Sequence, residues 1–189
     1  MKNKVILRFI VPPALIIAFV IYVIVSLSTK NSSPPSQSDW VLQTNLQTYL
    51  NGRNITDMTF IDSVTGFAVS SNKYSGDTGY IFKTTNGGDN WFVNFMPFKG
   101  FSKIKFVNDS IGFACGGSGG GTAYFCKTTD RGNSWVGYVH GASYYEGMSV
   151  LNKDKIYLCE SDGLTVGIFR STNGGLNFSS IPVTGIKRI

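Results

Sequence analysis

Lys83-Thr84-Thr85-Asn86-Gly87-Gly88-Asp89-Asn90-Trp91 is the stretch that decides the fold, because it occurs three times. It returns as Lys127-Thr128-Thr129-Asp130-Arg131-Gly132-Asn133-Ser134-Trp135 and again as Arg170-Ser171-Thr172-Asn173-Gly174-Gly175-Leu176-Asn177-Phe178. The closing aromatics stand 44 and then 43 residues apart. The repeat extends upstream of this box. Met58-Thr59-Phe60-Ile61-Asp62 aligns with Ile104-Lys105-Phe106-Val107-Asn108 and Met148-Ser149-Val150-Leu151-Asn152. Gly66-Phe67-Ala68-Val69 aligns with Gly112-Phe113-Ala114-Cys115 and, in the third unit, with Lys155-Ile156-Tyr157-Leu158-Cys159. Tyr80-Ile81-Phe82 aligns with Tyr124-Phe125-Cys126 and Gly167-Ile168-Phe169.

Each unit thus holds four short apolar runs separated by Gly, Asn, Asp and Ser. The runs have strand length and the separators are turn residues. Four antiparallel strands per unit, recurring at a period of roughly 40–50 residues, read as propeller blades. The expected fold is all-β: a β-propeller with three four-stranded antiparallel blades, preceded by an N-terminal transmembrane helix.

The box falls between the third and fourth runs, which predicts a hairpin turn. Thr84, Thr128 and Ser171 open it, and Asn86, Asp130 and Asn173 carry short side chains that can accept hydrogen bonds from turn amides. Gly88, Gly132 and Gly175 supply positions where positive φ costs little. Trp91, Trp135 and Phe178 fold back over the turn. Recurrence in every unit marks these residues as structural rather than catalytic.

The pattern Ser/Thr-x-Asp/Asn-x-Gly-x-x-Trp/Phe resembles the Asp-box, or BNR repeat, of sialidases, some glucan-cleaving glycosidases, sortilin-like receptors and the photosystem II stability and assembly factor family. The wording from Thr84 to Trp91 is most similar to the last group. The resemblance covers about residues 40–189. It implies a propeller that holds an assembly intermediate, with box turns on the blade periphery.

A closed ring takes about 4–8 blades, and three boxes fit in this chain, so the expectation is a truncated ring. Phe9 to Leu27 is free of charge and long enough, as a helix, to cross a hydrocarbon core. Lys2, Lys4 and Arg8 precede it, which places the N-terminus in the cytoplasm and the blades outside. Ser26-Leu27-Ser28 offers a small-x-small cleavage site, so secretion after signal removal is the alternative. The domain reading is a cytoplasmic stub and signal anchor at 1–30, a Ser/Pro linker with a closing strand (Trp40-Val41-Leu42) at 31–50, and the blades at 51–189.

The formal net charge of +6 arises mainly at the N-terminus. With no basic cluster among the blades, nucleic acid is not an expected partner. No cofactor or metal site is expected either. Cys115, Cys126 and Cys159 form no CxxC. Cys115 and Cys126, on neighbouring strands of one hairpin, either meet or serve as buried apolar substitutes. The single His140 has no cysteine or acid at metal-ligand spacing and reads as a surface or satisfied histidine. Gly116 to Gly121 lacks the Gly-Lys-Ser/Thr ending of a phosphate loop and reads as a flexible hairpin loop. A glycosidase needs two carboxylates across a cleft. Glu146 and Glu160 are the candidates and are assigned to different units, while Asp62, Asp109 and Asp154 read as repeated turn positions. The expected function is a non-enzymatic extracytoplasmic binding or assembly module for a protein or cell-envelope component. The alternative is a fragment of a sialidase-like glycoside hydrolase.

Overall fold

Among the described residues, twelve strands in three separate sheets account for the repeats. The computed structural model describes residues 45–71, 78–95, 100–118, 122–140, 144–161 and 166–182. The apolar span 9–27, the Ser/Pro stretch 31–38 and the closing strand 40–42 lie outside them. Among the described residues no helix is long and apolar enough to cross a membrane.

The first sheet runs β1 (Ile55–Phe60), β2 (Gly66–Ser70), β3 (Tyr80–Thr84), β4 (Phe92–Phe95). The second runs β5 (Phe101–Phe106), β6 (Gly112–Ser118), β7 (Thr122–Thr128), β8 (Val136–His140). The third runs β9 (Tyr145–Val150), β10 (Ile156–Ser161), β11 (Val166–Ser171), β12 (Ser179–Ile181). Each is a four-stranded antiparallel meander in sequence order. These are the three units of the sequence repeat, and each is called a blade below.

The second strand of each blade shows how the core is filled. Side chains alternate across a strand. Phe67 and Val69 of β2 pack into a cluster with Phe101, Ile104, Ala114 and Cys126 of the second blade. Ala68, between them, points to the other face, with Phe82, Trp91 and Leu46. A parallel cluster joins Phe113, Cys115 and Phe125 of the second blade to Tyr145, Ile156 and Leu158 of the third. The two contacts between blades are called the first and second seams.

One short element precedes the blades. Helix α1 (Gln47–Leu50) lies inside the stretch expected to be linker. Leu46 and Leu50 pack on Ala68, Phe82 and Trp91, the face of the first blade turned away from the second.

The Gly116–Gly121 reading needs correction. Gly116, Gly117 and Ser118 are strand, paired with Tyr124, Ala123 and Thr122; residues 119–121 lie outside the described range. The reason is close approach rather than flexibility: a Cβ on Gly116 would overlap the Gly100 carbonyl oxygen and come within 2.7 Å of Phe101 Cα.

Candidate functional site

All three boxes sit between the third and fourth strands of their blades and share one hydrogen-bond pattern. The hydroxyl of Thr84 accepts from the amide of Gly88 at 3.0 Å and donates to Asn86 Oδ1 at 3.0 Å. Thr128 accepts from Gly132 at 2.9 Å and donates to Asp130 at 2.8 Å. Ser171 accepts from Gly175 at 2.9 Å and donates to Asn173 at 3.0 Å. The acid or amide then accepts from the amide four residues on: Asn90 to Asn86, Ser134 to Asp130, Asn177 to Asn173. Gly88, Gly132 and Gly175 have φ of 102°, 68° and 87°. The hydroxyls of Thr84, Thr128 and Ser171 and the side-chain oxygens of Asn86, Asp130 and Asn173 are therefore used within their own turns. Asp130 is pulled down to about 2, first by the Ser134 hydroxyl and amide and then by Thr128.

A second turn, distant in sequence, completes each box. The β1–β2 hairpin is closed by Asp62, whose Oδ1 accepts from Val64 and Thr65. Asn108 and Asn152 do the same in the other blades. Each hairpin then accepts an amide from the box: Gly87 to Val64 O, Arg131 to Ser110 O, Gly174 to Asp154 O. The equivalent set is thus Asp62, Asn108 and Asn152. Asp109 and Asp154 lie one and two places later in the same turns, so Asp62, Asp109 and Asp154 are all turn residues, as expected, and the equivalent position is the one the repeat alignment gives.

The boxes also join blades. Lys83 Nζ donates to Arg131 O at 2.8 Å and to Asn133 Oδ1 at 2.7 Å across the first seam. Lys127 Nζ donates to Gly174 O at 3.3 Å across the second. Trp135 packs edge-on to Phe67 and Phe106, and Phe178 to Phe125. Arg131 is more than a turn residue. It holds φ of 60° where the other boxes have Gly87 and Gly174, and its guanidinium bridges Asp62 and Asp109, each at 2.8 Å. No local pattern announces that bridge, because Asp62 is 69 positions away.

The other candidates disperse. Glu146 and Glu160 both belong to the third blade, on the paired strands β9 and β10, contrary to the expectation of different units. Glu146 is the extra residue of a bulge in β9, between the pairs Cys159–Gly147 and Glu160–Tyr145. Thr56 and Ser102 occupy the same bulge in β1 and β5. Their hydroxyls cross to the following blade, Thr56 to Phe101 O at 2.8 Å and Ser102 to Tyr145 O. Cys115 and Cys126 are free and do not meet: they point into different seams. Burial pushes Cys115 up to about 12 and raises Cys126 as well. Cys159 is exposed.

His140 is neither on the surface nor satisfied. It is half-buried in the second seam, its ring edge-on to Phe125, Phe178 and Tyr145. Its Nε2 has no hydrogen-bond partner among the described residues, and burial lowers its pKa. Among the described residues no cluster of three or more His, Cys, Asp or Glu could hold a metal ion.

An open groove of about 440 Å³ lies between the first hairpins of the second and third blades, lined by Phe106, Val107, Asn108, Val150, Leu151 and Lys153, among others. Leu151 is 65% exposed. The corresponding gap in the first seam is crossed by Arg131. Here Gly174 stands in its place and has no side chain to cross with, and Asn108 and Lys153 replace Asp62 and Asp109.

No family model and no curated protein matches this chain. A solved structure described as YCF48 bound to D1 peptide does match, with 20% sequence identity and a TM-score of 0.52, over 68% of this chain and 39% of that one. At that identity the likeness is one of fold, and it identifies the three four-stranded sheets as blades of a β-propeller.

Proposed function

We propose that this chain is a non-enzymatic binding module of the photosystem II assembly-factor kind, whose blades hold a segment of a protein partner. The observation that carries the reading is the open groove of about 440 Å³ between the first hairpins of the second and third blades, where apolar Phe106, Val107, Val150 and Leu151 stand beside polar Asn108, Asn152 and Lys153. A concave surface that combines apolar side chains with polar groups to fix orientation is the kind that seats a ligand. The YCF48 structure, which shares the fold, carries a bound peptide. The boxes supply rigidity rather than chemistry, since their polar atoms are engaged in turns. Glu146 and Glu160 lie on adjacent strands of one sheet, β9 and β10, rather than on opposite walls of a cleft as a glycosidase needs. The N-terminal apolar span anchors the module with its blades outside the cytoplasm.

Titration of the full chain in detergent with a fluorescently labelled D1 peptide tests the reading by anisotropy. Saturable binding, weakened at least about tenfold by Leu151→Glu through a charge placed on apolar surface, is expected. Gly174→Arg should weaken it as well, by filling the groove as Arg131 fills the first seam. Hydrolysis of sialosides or β-glucans that disappears in Glu146→Gln or Glu160→Gln would establish the glycosidase alternative instead. For the anchor, the protein should stay with membranes after alkaline carbonate washing; release with a new N-terminus near Thr29 would mean a cleaved signal.

A further inference from the structure

We propose that the outward face of the third blade docks the first blade of a second copy of this chain, in the geometry that already joins its own blades. In the first seam Phe67, Val69 and Lys83 meet the following blade, and in the second Phe113, Cys115 and Lys127 do so. The four apolar side chains in these sets are 0% exposed. The same positions in the third blade are Tyr157, Cys159 and Arg170. Here Cys159 and Arg170 are exposed and Tyr157 is half-buried. Register keeps the set together: Arg170 pairs with Tyr157 as Lys83 pairs with Phe67 and Lys127 with Phe113.

Charge decides the occupant. In the first seam the cation ends on the next box, at Arg131 O and Asn133 Oδ1. In the first box the place of Asn133 is taken by Asp89, whose side chain is exposed. A Lys–Asn contact within the chain thus becomes an Arg–Asp ion pair between copies, the stronger and bidentate form of the same link. The apolar part matches too. Met58 and Phe60 of the first blade correspond to Ile104 and Phe106, which fill the first seam, yet they are 52% and 44% exposed.

Helix α1 lies on part of the receiving face, over Ala68, Phe82 and Trp91. It is a placeholder. It has four residues and no side-chain cap, and a helix that short is marginal on its own. An incoming blade covers the same side chains with a whole sheet and displaces it.

Sedimentation of the full chain in detergent, across a concentration series, tests the proposal. Self-association is expected, and Arg170→Glu or Asp89→Arg alone should weaken it at least about tenfold by setting like charges against each other. Mixing the two variants should restore it. The carboxylate introduced on one copy then meets the guanidinium introduced on the other, and the native pair re-forms at the other contact. Leu46→Asp, which loosens α1, should strengthen association, and Cys159 should alkylate more slowly in the associated state. A chain that stays monomeric at every concentration would overturn the proposal. So would association that neither charge reversal weakens, or a mixture that fails to recover it.

Discussion

The two seams join equivalent surfaces of equivalent blades, yet they are held by different forces. The first is polar at its rim. Lys83 donates to two acceptors, Asn94 Nδ2 donates to Gly132 O at 3.1 Å, and Arg131 bridges carboxylates from both blades. Beneath that rim Phe67 stacks on Phe106 with ring centroids 4.6 Å apart. The second seam keeps one lysine contact and exchanges the rest for aromatic packing. Tyr138 stands where Asn94 stands and joins the apolar cluster. Phe125, Phe178, Tyr145 and His140 meet edge to face or tilted, with Phe125 and Phe178 at 5.1 Å. The repeat therefore fixes the blade and its turns, while single substitutions at the rim set what each seam tolerates. A bridged gap in the first seam is an open groove in the second.

The sharpest way to break the comparison is to remove its shared element. Trp135→Ala should cost roughly 3 kcal/mol, within the usual range for truncating a large aromatic. It opens a cavity against Phe67 and Phe106. Phe178→Ala should cost a similar amount in the second seam. Urea denaturation of both variants checks this. A cost under about 1 kcal/mol for either would mean that the aromatic only covers its own turn.

The glycines that follow separate turn strain from seam contact. Gly88, Gly132 and Gly175 share positive φ, but their surroundings differ. A Cβ on Gly132 would overlap Phe67, and one on Gly175 would overlap Phe125. A Cβ on Gly88 would meet only Trp91, at 3.8 Å and 3.9 Å. All three changes to Ala carry backbone strain of about 1–2 kcal/mol. Gly132→Ala and Gly175→Ala should add roughly 1–3 kcal/mol of overpacking. Equal costs at all three sites would show that the neighbouring rings move aside freely.

The same residues mark what the sequence could reveal. The strands and both kinds of turn recur at a fixed period, so Thr84, Asn86 and Gly88 can be placed without coordinates. Those hydrogen bonds close within four residues, and local spacing carries them. The seams are different in kind. Lys83 reaches Asn133, 50 positions on, and Arg131 reaches Asp62, 69 positions back. Alignment of the repeats offers a signal: Arg131 is the one non-glycine at its box position, and it coincides with Asp62 and Asp109 in the turns it joins. The sequence around His140 misleads because its neighbours come from elsewhere in the chain, Phe125 from β7 and Phe178 from the third box. Glu146 misleads because a bulge is invisible in a strand pattern until the register is known.

The third test uses pH to read the second seam alone. Burial depresses the His140 pKa below its ordinary 6.5, so the folded state favours the neutral ring. The sign follows from linkage. The unfolded chain binds the proton more readily, so this contribution is complete above about pH 6.5 and is lost as pH falls through that value toward the folded pKa. Thermal stability should therefore decline between about pH 7 and pH 5, and His140→Phe should flatten the decline. Asp130 lies outside that window, since its folded pKa is about 2. An unchanged slope in His140→Phe would assign the acid sensitivity elsewhere.

The smallest effect is expected at Arg131, the residue that most distinguishes the seams. Arg131→Gly removes two ion pairs whose side chains are 41%, 38% and 62% exposed. Such exposed pairs contribute about 0.2–1 kcal/mol each. The same change relieves an L side chain held at φ of 60°, worth about 1–2 kcal/mol. The two effects oppose, so stability at moderate salt should shift by under about 1 kcal/mol. The salt dependence is the informative reading. Wild type should lose the ion-pair part as screening shortens the Debye length to about 3 Å at roughly 1 M. The glycine variant should not, and its gap, opened like that of the second seam, should admit what Arg131 had kept out. If the variant instead loses several kcal/mol at all salt concentrations, the bridge is a structural requirement of the first seam, and the difference between the seams is one of stability rather than of access.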